Sequence, residues 1–318
     1  MGRGGGTLPQ ASRSGLVRRG RVKIEQGVAL SQMTTVGIGG PARGLARPRT
    51  MADLEEALAW ADEQRVAVRP IGLGSNLLAA DAGVDALVVR LEGELAAVEA
   101  RGSMLVAGGG ASNAVCLHRA RGAGLGGFEF ACAIPGTAGG GVRMNAGAYG
   151  SDWKAILVRA LLVDASGARW RTAAELELSY RHSALVPGQV VAQVEFQLIA
   201  RAGAEIKETV AAMQARRKET QPTNKRTFGS VFKNPDHEFG AGRMIELCGL
   251  KGHRVGGATI SSRHGNFIEN AGGATADQAI ALMTEARSRV LDRFGVVLER
   301  EVEFLGELEL PPVGMPPG

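Results

Sequence analysis

Two glycine-rich stretches, GLGSN at 72–76 and IPGTAGGGVRMNAGAYG at 134–150, carry so little side chain that backbone N–H groups can converge on an anion such as a diphosphate. Gly72, Gly74, Ser75, Asn76 and Leu77 make the first candidate cradle. Pro135, Gly136, Thr137, Gly139, Gly140, Asn145, Gly147 and Ala148 make the second. Asn76 and Asn145 add side-chain amides where glycine offers only backbone. Two shorter clusters, GIGG at 37–40 and GGG at 108–110, suit turns and tight packing equally well. The fingerprint GxGxxG after a first strand, with an acid about 20 residues on, is missing, so a Rossmann fold is not expected. Two separated loops imply another way of holding a dinucleotide.

A second chemical candidate is TFGSVFKNP at 227–235. Gly229 allows a sharp turn, and Pro235 biases Asn234 toward an extended conformation. Ser230 is therefore expected on a stiff, kinked loop, either as a turn residue or as a positioned hydroxyl. Near the C-terminus, strand alternation from Val296 would put Glu299, Glu301 and Glu303 on one face, with Arg300, Val302 and Phe304 on the other. A solvated acidic face and a working carboxylate both fit that pattern.

These groups need a scaffold. Leu54, Ala57, Leu58 and Ala61 recur at helical spacing behind Thr50, which predicts a capped amphipathic helix. Short strands are predicted at VAVRPIG, DALVVRL and MLVAGGG, with a helix at ASNAVCLHRARG. A hairpin is predicted in ALLVDASGARWRT, turning at 165–167. Val190, Ala192, Val194, Phe196 and Leu198 alternate with Val191, Gln193, Glu195 and Gln197 as one half-buried strand. A helix from Glu205 ends at Gln221 and Pro222, and further elements are predicted at GRMIELCG, at ATISS and after Thr275, where Thr-x-x-Gln forms a capping box.

With 318 residues, 45% of them hydrophobic and 22% charged, the chain has material for two or three globular domains. The net charge of +5 owes much to the first 25 residues, which have no apolar run of signal-peptide length and read as a disordered extension. At 4% aromatic content there is little for a nucleic-acid stacking platform. Cys116, Cys132 and Cys248 fit no metal or disulfide spacing, the five histidines form no HExxH pair, and no metal is expected. No apolar run approaches the ~20 residues that span a bilayer. A cytoplasmic monomer without membrane or nucleic-acid partners is expected.

In this order, IPGTAGGGVRMNAGAYG, SYRHS, GSVFKNP, GLKGHRVGGATIS and LEREV resemble the UDP-N-acetylenolpyruvoylglucosamine reductases, the MurB family, from Leu30 to Gly306. The resemblance implies an α+β chain with an FAD-binding fold of the vanillyl-alcohol oxidase type and a C-terminal substrate domain. The implied division is an extension at 1–25, FAD-binding subdomains at 26–90 and 91–204, a substrate domain at 205–306 and a tail at 307–318. It also implies FAD and NADPH as cofactors and the enolpyruvyl ether of UDP-N-acetylglucosamine as substrate, reduced for peptidoglycan synthesis. Arg181, Ser230 and Glu301 match the catalytic positions: carboxylate fork, proton donor to carbon, and carboxyl partner. Lys218, Lys233, Asn234 and His264 match substrate-contacting positions. The run from His182 and Ser183 straight into ALVPGQVV resembles the family's shorter form, which lacks a loop with a substrate-clamping tyrosine. Gly37 stands where relatives often carry a basic or polar residue.

Two other readings predict different behaviour. Another flavoprotein of this fold, an alcohol or sugar oxidase, would need a proton-abstracting base and often a His or Cys bound covalently to FAD; denaturation that releases free flavin argues against it. A protein binding nucleic acid through its basic N-terminus would lose affinity steeply with salt.

Overall fold

The computed structural model describes residues 16–19 and 22–314. The first sheet runs, in spatial order, Leu16–Arg19, Val22–Glu25, Pro41–Ala46, Val84–Val89 and Ala67–Pro70. Its last three strands are parallel, and α1 (Met51–Glu63) crosses over between Pro41–Ala46 and Ala67–Pro70. Thr50 and Asp53 close a capping box at the start of α1, and Leu54, Ala57, Leu58 and Ala61 are buried as their spacing predicts. The expectation of a disordered 1–25 is corrected for the described part: Val22–Glu25 is a strand whose Ile24 is fully buried. Residues 1–15 lie outside the described residues.

A second, antiparallel sheet is ordered Gly167–Thr172, Leu157–Asp164, Val190–Gln197, Met104–Gly108 and Val98–Arg101. Its hairpin pairs Asp164 with Gly167 across the expected turn. Val191 departs from the predicted alternation and is buried, because the strand lies between two cores: Val190 and Ala192 face one cluster, Val191 and Val194 the other. The second cluster holds Phe128, Phe130, Trp153 and Phe196 in edge-to-face and tilted contacts. Helix α2 (Asn113–Gly122) and the short α3 (Ala138–Met144) belong to this unit. Gly141 lets α3 sit on Trp153, since a Cβ there would collide with the indole.

Helix α4 (Gly203–Thr220) buries only Ile206 and packs against 129–133 and α2. The last sheet pairs Thr227–Ser230, Phe267–Asn270, Ala258–Ile260 and Arg254–Val255 in that order, covered by α5 (Ala241–Leu247) and α6 (Ala276–Phe294). The Thr275–Gln278 capping box and Gly295 in a left-handed cap delimit α6. The chain then returns to the first unit: Glu303–Leu305 pairs in parallel with Leu77–Ala79. The expected continuous strand from Val296 is corrected, because only an Arg300–Phe232 bridge precedes that pairing. Glu301 N and Val302 N both donate to Val231 O, a bent geometry that a regular ladder does not have.

Candidate active site

Both glycine loops, α3, the end of α4 and the turn at Gly229–Ser230 enclose one cavity of about 690 Å³. That size is ordinary for a cofactor or substrate site. Three successive carbonyls of its longer loop are tied down from beneath. Asn113 Nδ2 donates to Ile134 O at 2.9 Å, Ser75 Oγ to Pro135 O at 2.5 Å, and Asn113 N to Gly136 O at 3.0 Å. Ser75 thus joins the two loops directly. Gly72 permits this approach, since a Cβ would stand 2.6 Å from Thr137 Oγ1, and Gly74 has φ +67°. At Gly140, which is exposed to the cavity, an added Cβ would meet nothing closer than 3.4 Å and would fill the open cradle instead. The residues present therefore suit a dinucleotide such as FAD, whose diphosphate needs backbone donors and no intruding side chains.

The candidate cofactor residues divide. Gly72, Gly74, Ser75, Asn76, Leu77, Pro135, Gly136, Thr137, Gly140, Gly147 and Ala148 all line the cavity. Gly139 is buried behind it, with its N–H bonded to Gly109 O. The Asn145 amide is committed inside the protein: Nδ2 donates to Asp152 and Ser179 O, and Oδ1 accepts from Lys154 N. Asn76 Nδ2 likewise donates to Glu301 O at 3.2 Å, so its amide joins the first loop to the returning C-terminal chain.

Arg181, Ser230 and Glu301 meet in this cavity through a continuous set of bonds. Gly229, at φ +81°, turns the chain into Ser230, and the next residue, Val231, accepts from Glu301 N at 2.9 Å. Glu301 Oε1 accepts from Arg181 Nε at 2.7 Å, and Arg181 Nη2 donates to Gly147 O at 2.9 Å in the second loop. Arg181 holds φ at 53°, a strained left-handed conformation for a residue with a side chain. The two side chains are only 20% and 15% exposed. Burial pushes the Glu301 carboxyl above the usual carboxylate range, with Arg181 and then Lys233 drawing it back. Glu299 and Glu303, at 74% and 50% side-chain exposure, are the solvated members of the trio.

Of the remaining candidates, Asn234 lines the cavity, and its Oδ1 accepts from Ala241 N. Lys233 Nζ lies 3.4 Å from Glu299, outside the lining. His264 is packed edge-on against Phe267, accepts from Asn266 N through Nδ1, and is held toward its neutral form by burial. Lys218 is exposed on α4, turned away from the cavity. The helical repeat explains this: Arg216, Arg217 and Thr220, followed by the cap residue Gln221, line the cavity, and Lys218 lies about 100° beyond Arg217 around the helix. Sequence reasoning missed those two arginines, whose signal was the i, i+4 polar stripe beside the lysine.

Both tyrosines of the chain were also missed, and both stand at this site. Tyr149 lines the cavity and donates to Met213 O of α4 at 2.7 Å. Tyr180 accepts from Asn234 N at 3.3 Å and carries Arg181 against its ring at 5.0 Å.

The chain matches a family model described as UDP-N-acetylenolpyruvoylglucosamine reductase, C-terminal domain, over residues 221–305, and one described as FAD binding domain over residues 42–173. It is 43% identical over 295 residues to a UDP-N-acetylenolpyruvoylglucosamine reductase of Anaeromyxobacter sp., covering 93% of this chain and 92% of that protein. It is 42% identical over 300 residues to UDP-N-acetylenolpyruvoylglucosamine reductase 2 of Symbiobacterium thermophilum, covering 94% and 97%. Among solved structures, UDP-N-acetylenolpyruvylglucosamine reductase from Thermus caldophilus superposes with a TM-score of 0.78 at 36% identity, covering 89% of this chain and 99% of that one. With the reductase and FAD models on its two parts and matches running nearly end to end, the chain belongs to the UDP-N-acetylenolpyruvoylglucosamine reductase family.

Proposed function

We propose that this protein is an FAD-dependent oxidoreductase that reduces the enolpyruvyl ether of UDP-N-acetylglucosamine to UDP-N-acetylmuramate with NADPH, a step in making peptidoglycan precursor. The observation that carries the reading is the bond path from Ser230 through Val231 and Glu301 to Arg181, closing on Gly147 of a cofactor loop. The reaction adds a hydride and a proton across the enol-ether double bond and leaves a lactyl ether. FAD would be held by Gly72, Gly74 and Ser75 of the first loop and Gly136, Thr137 and Gly140 of the second, and would supply the hydride chemistry that links NADPH to the terminal carbon of the substrate.

The protein's own groups manage charge and the proton. Arg181 presents its guanidinium to the substrate carboxylate, where negative charge gathers as the adjacent carbon becomes enolate-like. Glu301, held toward protonation by burial, can share a proton with that carboxylate where an ionised glutamate would repel it. Ser230 donates the proton to the substituted carbon. A hydroxyl is a weak acid, so the step relies on a strongly basic carbon and on close placement. Asn234, which lines the cavity, takes the nucleotide part of the substrate, and Lys233 and His264, outside that lining, are further candidates for it; Tyr180, on Asn234 N, takes the part of the absent tyrosine loop.

The cluster built on 105–198 supports a second FAD-binding subdomain within 91–204, and the cluster built mainly on 228–302, with Leu308 and Leu310 packed against it, supports a substrate domain that runs slightly past 306. The packing of α4 on the second subdomain supports starting the substrate domain at 221 instead of 205. Use of NADPH and three free cysteines support the cytoplasm. Among the described residues no helix is long and apolar enough to cross a membrane.

The decisive experiment is anaerobic. With the bound flavin reduced by NADPH, addition of the enolpyruvyl sugar nucleotide should restore the oxidised spectrum within turnover time. A flavin that stays reduced overturns the assignment.

A further inference from the structure

Arg143 lies in α3 and lines the same cavity, yet nothing in the reaction scheme uses it. Among the described residues it forms no ion pair, and its one donated hydrogen bond runs from Nη2 to Gln189 O at 2.8 Å. Its guanidinium is half-buried, and burial lowers its pKa from the usual arginine range, with Glu303 opposing and Arg69 adding to the fall. The contrast with Arg181 is sharp, because Arg181 Nε has a carboxyl partner, Glu301 Oε1, at 2.7 Å. A cation withdrawn from water with one neutral partner is a net cost to folding. Most of its five N–H donors are unspent and stand at the wall of a cavity suited to a dinucleotide.

Position selects the ligand. Arg143 shares α3 with Gly140 and Gly141, which line the cavity, and follows the Thr137 cap that meets Gly72 of the first loop. It falls within residues 42–173, the stretch matched by the FAD binding domain, whereas Arg181, Ser230 and Glu301 lie outside it. We infer that Arg143 is a cofactor-binding residue that gives its free guanidinium N–H groups to the bound FAD, a proposal resting on the FAD assignment above. The cost of the unpaired cation in the empty protein is then offset on binding, when an electron-rich partner enters.

The test compares wild type with Arg143→Met, which keeps much of the side chain's length and removes the charge, and Arg143→Lys. Each apoprotein is titrated with FAD by flavin fluorescence, titrated with UDP, and melted without ligand. The expected result is an FAD Kd raised about tenfold or more in Arg143→Met, partly restored in Arg143→Lys, with UDP affinity unchanged. The melting temperature of the empty protein should hold or rise, since a half-buried cation without an ion-pair partner has gone. A purely structural role through Gln189 O predicts the reverse: a lower melting temperature with FAD affinity intact. That outcome overturns the proposal, as does weakened UDP binding with FAD unaffected. If Arg143→Met does not fold, Arg143→Lys and Arg143→Gln carry the same comparison. Failure of wild type to bind FAD would sink the FAD assignment itself, so the two failures are distinct.

Discussion

The two walls of the cavity use opposite materials. On the cofactor side the ligand-facing surface is mostly backbone, with Arg143 the exception, and the polar side chains Asn113, Ser75 and Asn145 are spent on holding the protein's own groups. On the reaction side the surface is side chain: Arg181, Glu301 and Ser230 face the cavity, held in place by backbone bonds such as Glu301 N to Val231 O. Each arrangement matches its task. A diphosphate that stays put is served by fixed dipoles that need no reorganisation, whereas a reaction that creates charge and moves a proton needs groups that can change state. Substitutions on the two walls should therefore fail differently, as lost chemistry on one and lost cofactor on the other.

The largest effect is expected at Ser230. Ser230→Ala should lower turnover of the enolpyruvyl substrate by roughly 10²- to 10⁴-fold, the range for removing a positioned acid. Flavin reduction by NADPH should survive, and Ser230→Cys should recover part of the loss. Stopped-flow spectra of each half-reaction separate these steps; normal substrate reduction by Ser230→Ala would reduce Ser230 to a turn residue. Arg181→Lys comes next. It keeps the charge but loses the fork that holds Glu301 and Gly147 O together, so flavin reoxidation by substrate should slow by more than about tenfold. Wild-type turnover in that variant would remove Arg181 from the mechanism.

How much of this was legible follows the same division. The helices α1 and α6 were readable because their caps are local, and so was the 157–172 hairpin. The glycine loops were readable as cradles, but the spacing of Asn145 says nothing about the buried Asp152 and Ser179 partners that consume its amide. Asn113 was invisible for the complementary reason: it follows the Ser112 cap and reads as an ordinary first-turn residue, while its bonds reach Ile134 and Gly136 far along the chain. Glu301 could not be separated from Glu299 and Glu303 by alternation. Burial separates them, and burial there comes from a bent return path set by Val231 and Asn76. Lys218 follows from motif position; the helical repeat separates it from Arg216 and Arg217, but which face of α4 lines the cavity is set by the packing of that helix on the second unit.

A smaller effect tests the cofactor wall. Ser75→Ala removes the bond to Pro135 O that joins the two loops and leaves the reaction-side groups untouched. The expected result is FAD affinity weakened by about 3- to 10-fold, equivalent to one hydrogen bond, with saturated turnover near wild type. Fluorescence titration of the apoprotein measures the first and steady-state rates at excess FAD the second. A fall in saturated turnover with FAD affinity unchanged would erase the contrast between the walls.

The smallest effect lies in stability, and its sign is set by Glu301. Burial raises this carboxyl above its reference value of 4.5, so the folded protein binds the proton more tightly than the unfolded chain. The resulting stabilisation is complete below 4.5 and is lost as pH rises through the folded value. Glutamine carries no such proton, so Glu301→Gln should gain stability relative to wild type as pH rises from about 4 to 8. Melting curves of the two apoproteins across that range measure it, with a sensitivity of about 2–4 °C per kcal/mol in chains of 150–250 residues and less in longer ones. The opposite drift, with wild type gaining on the variant toward pH 8, would mean that the pull of Arg181 outweighs burial. Glu301 would then rest ionised in the empty site and could not be held ready to share a proton with the substrate carboxylate.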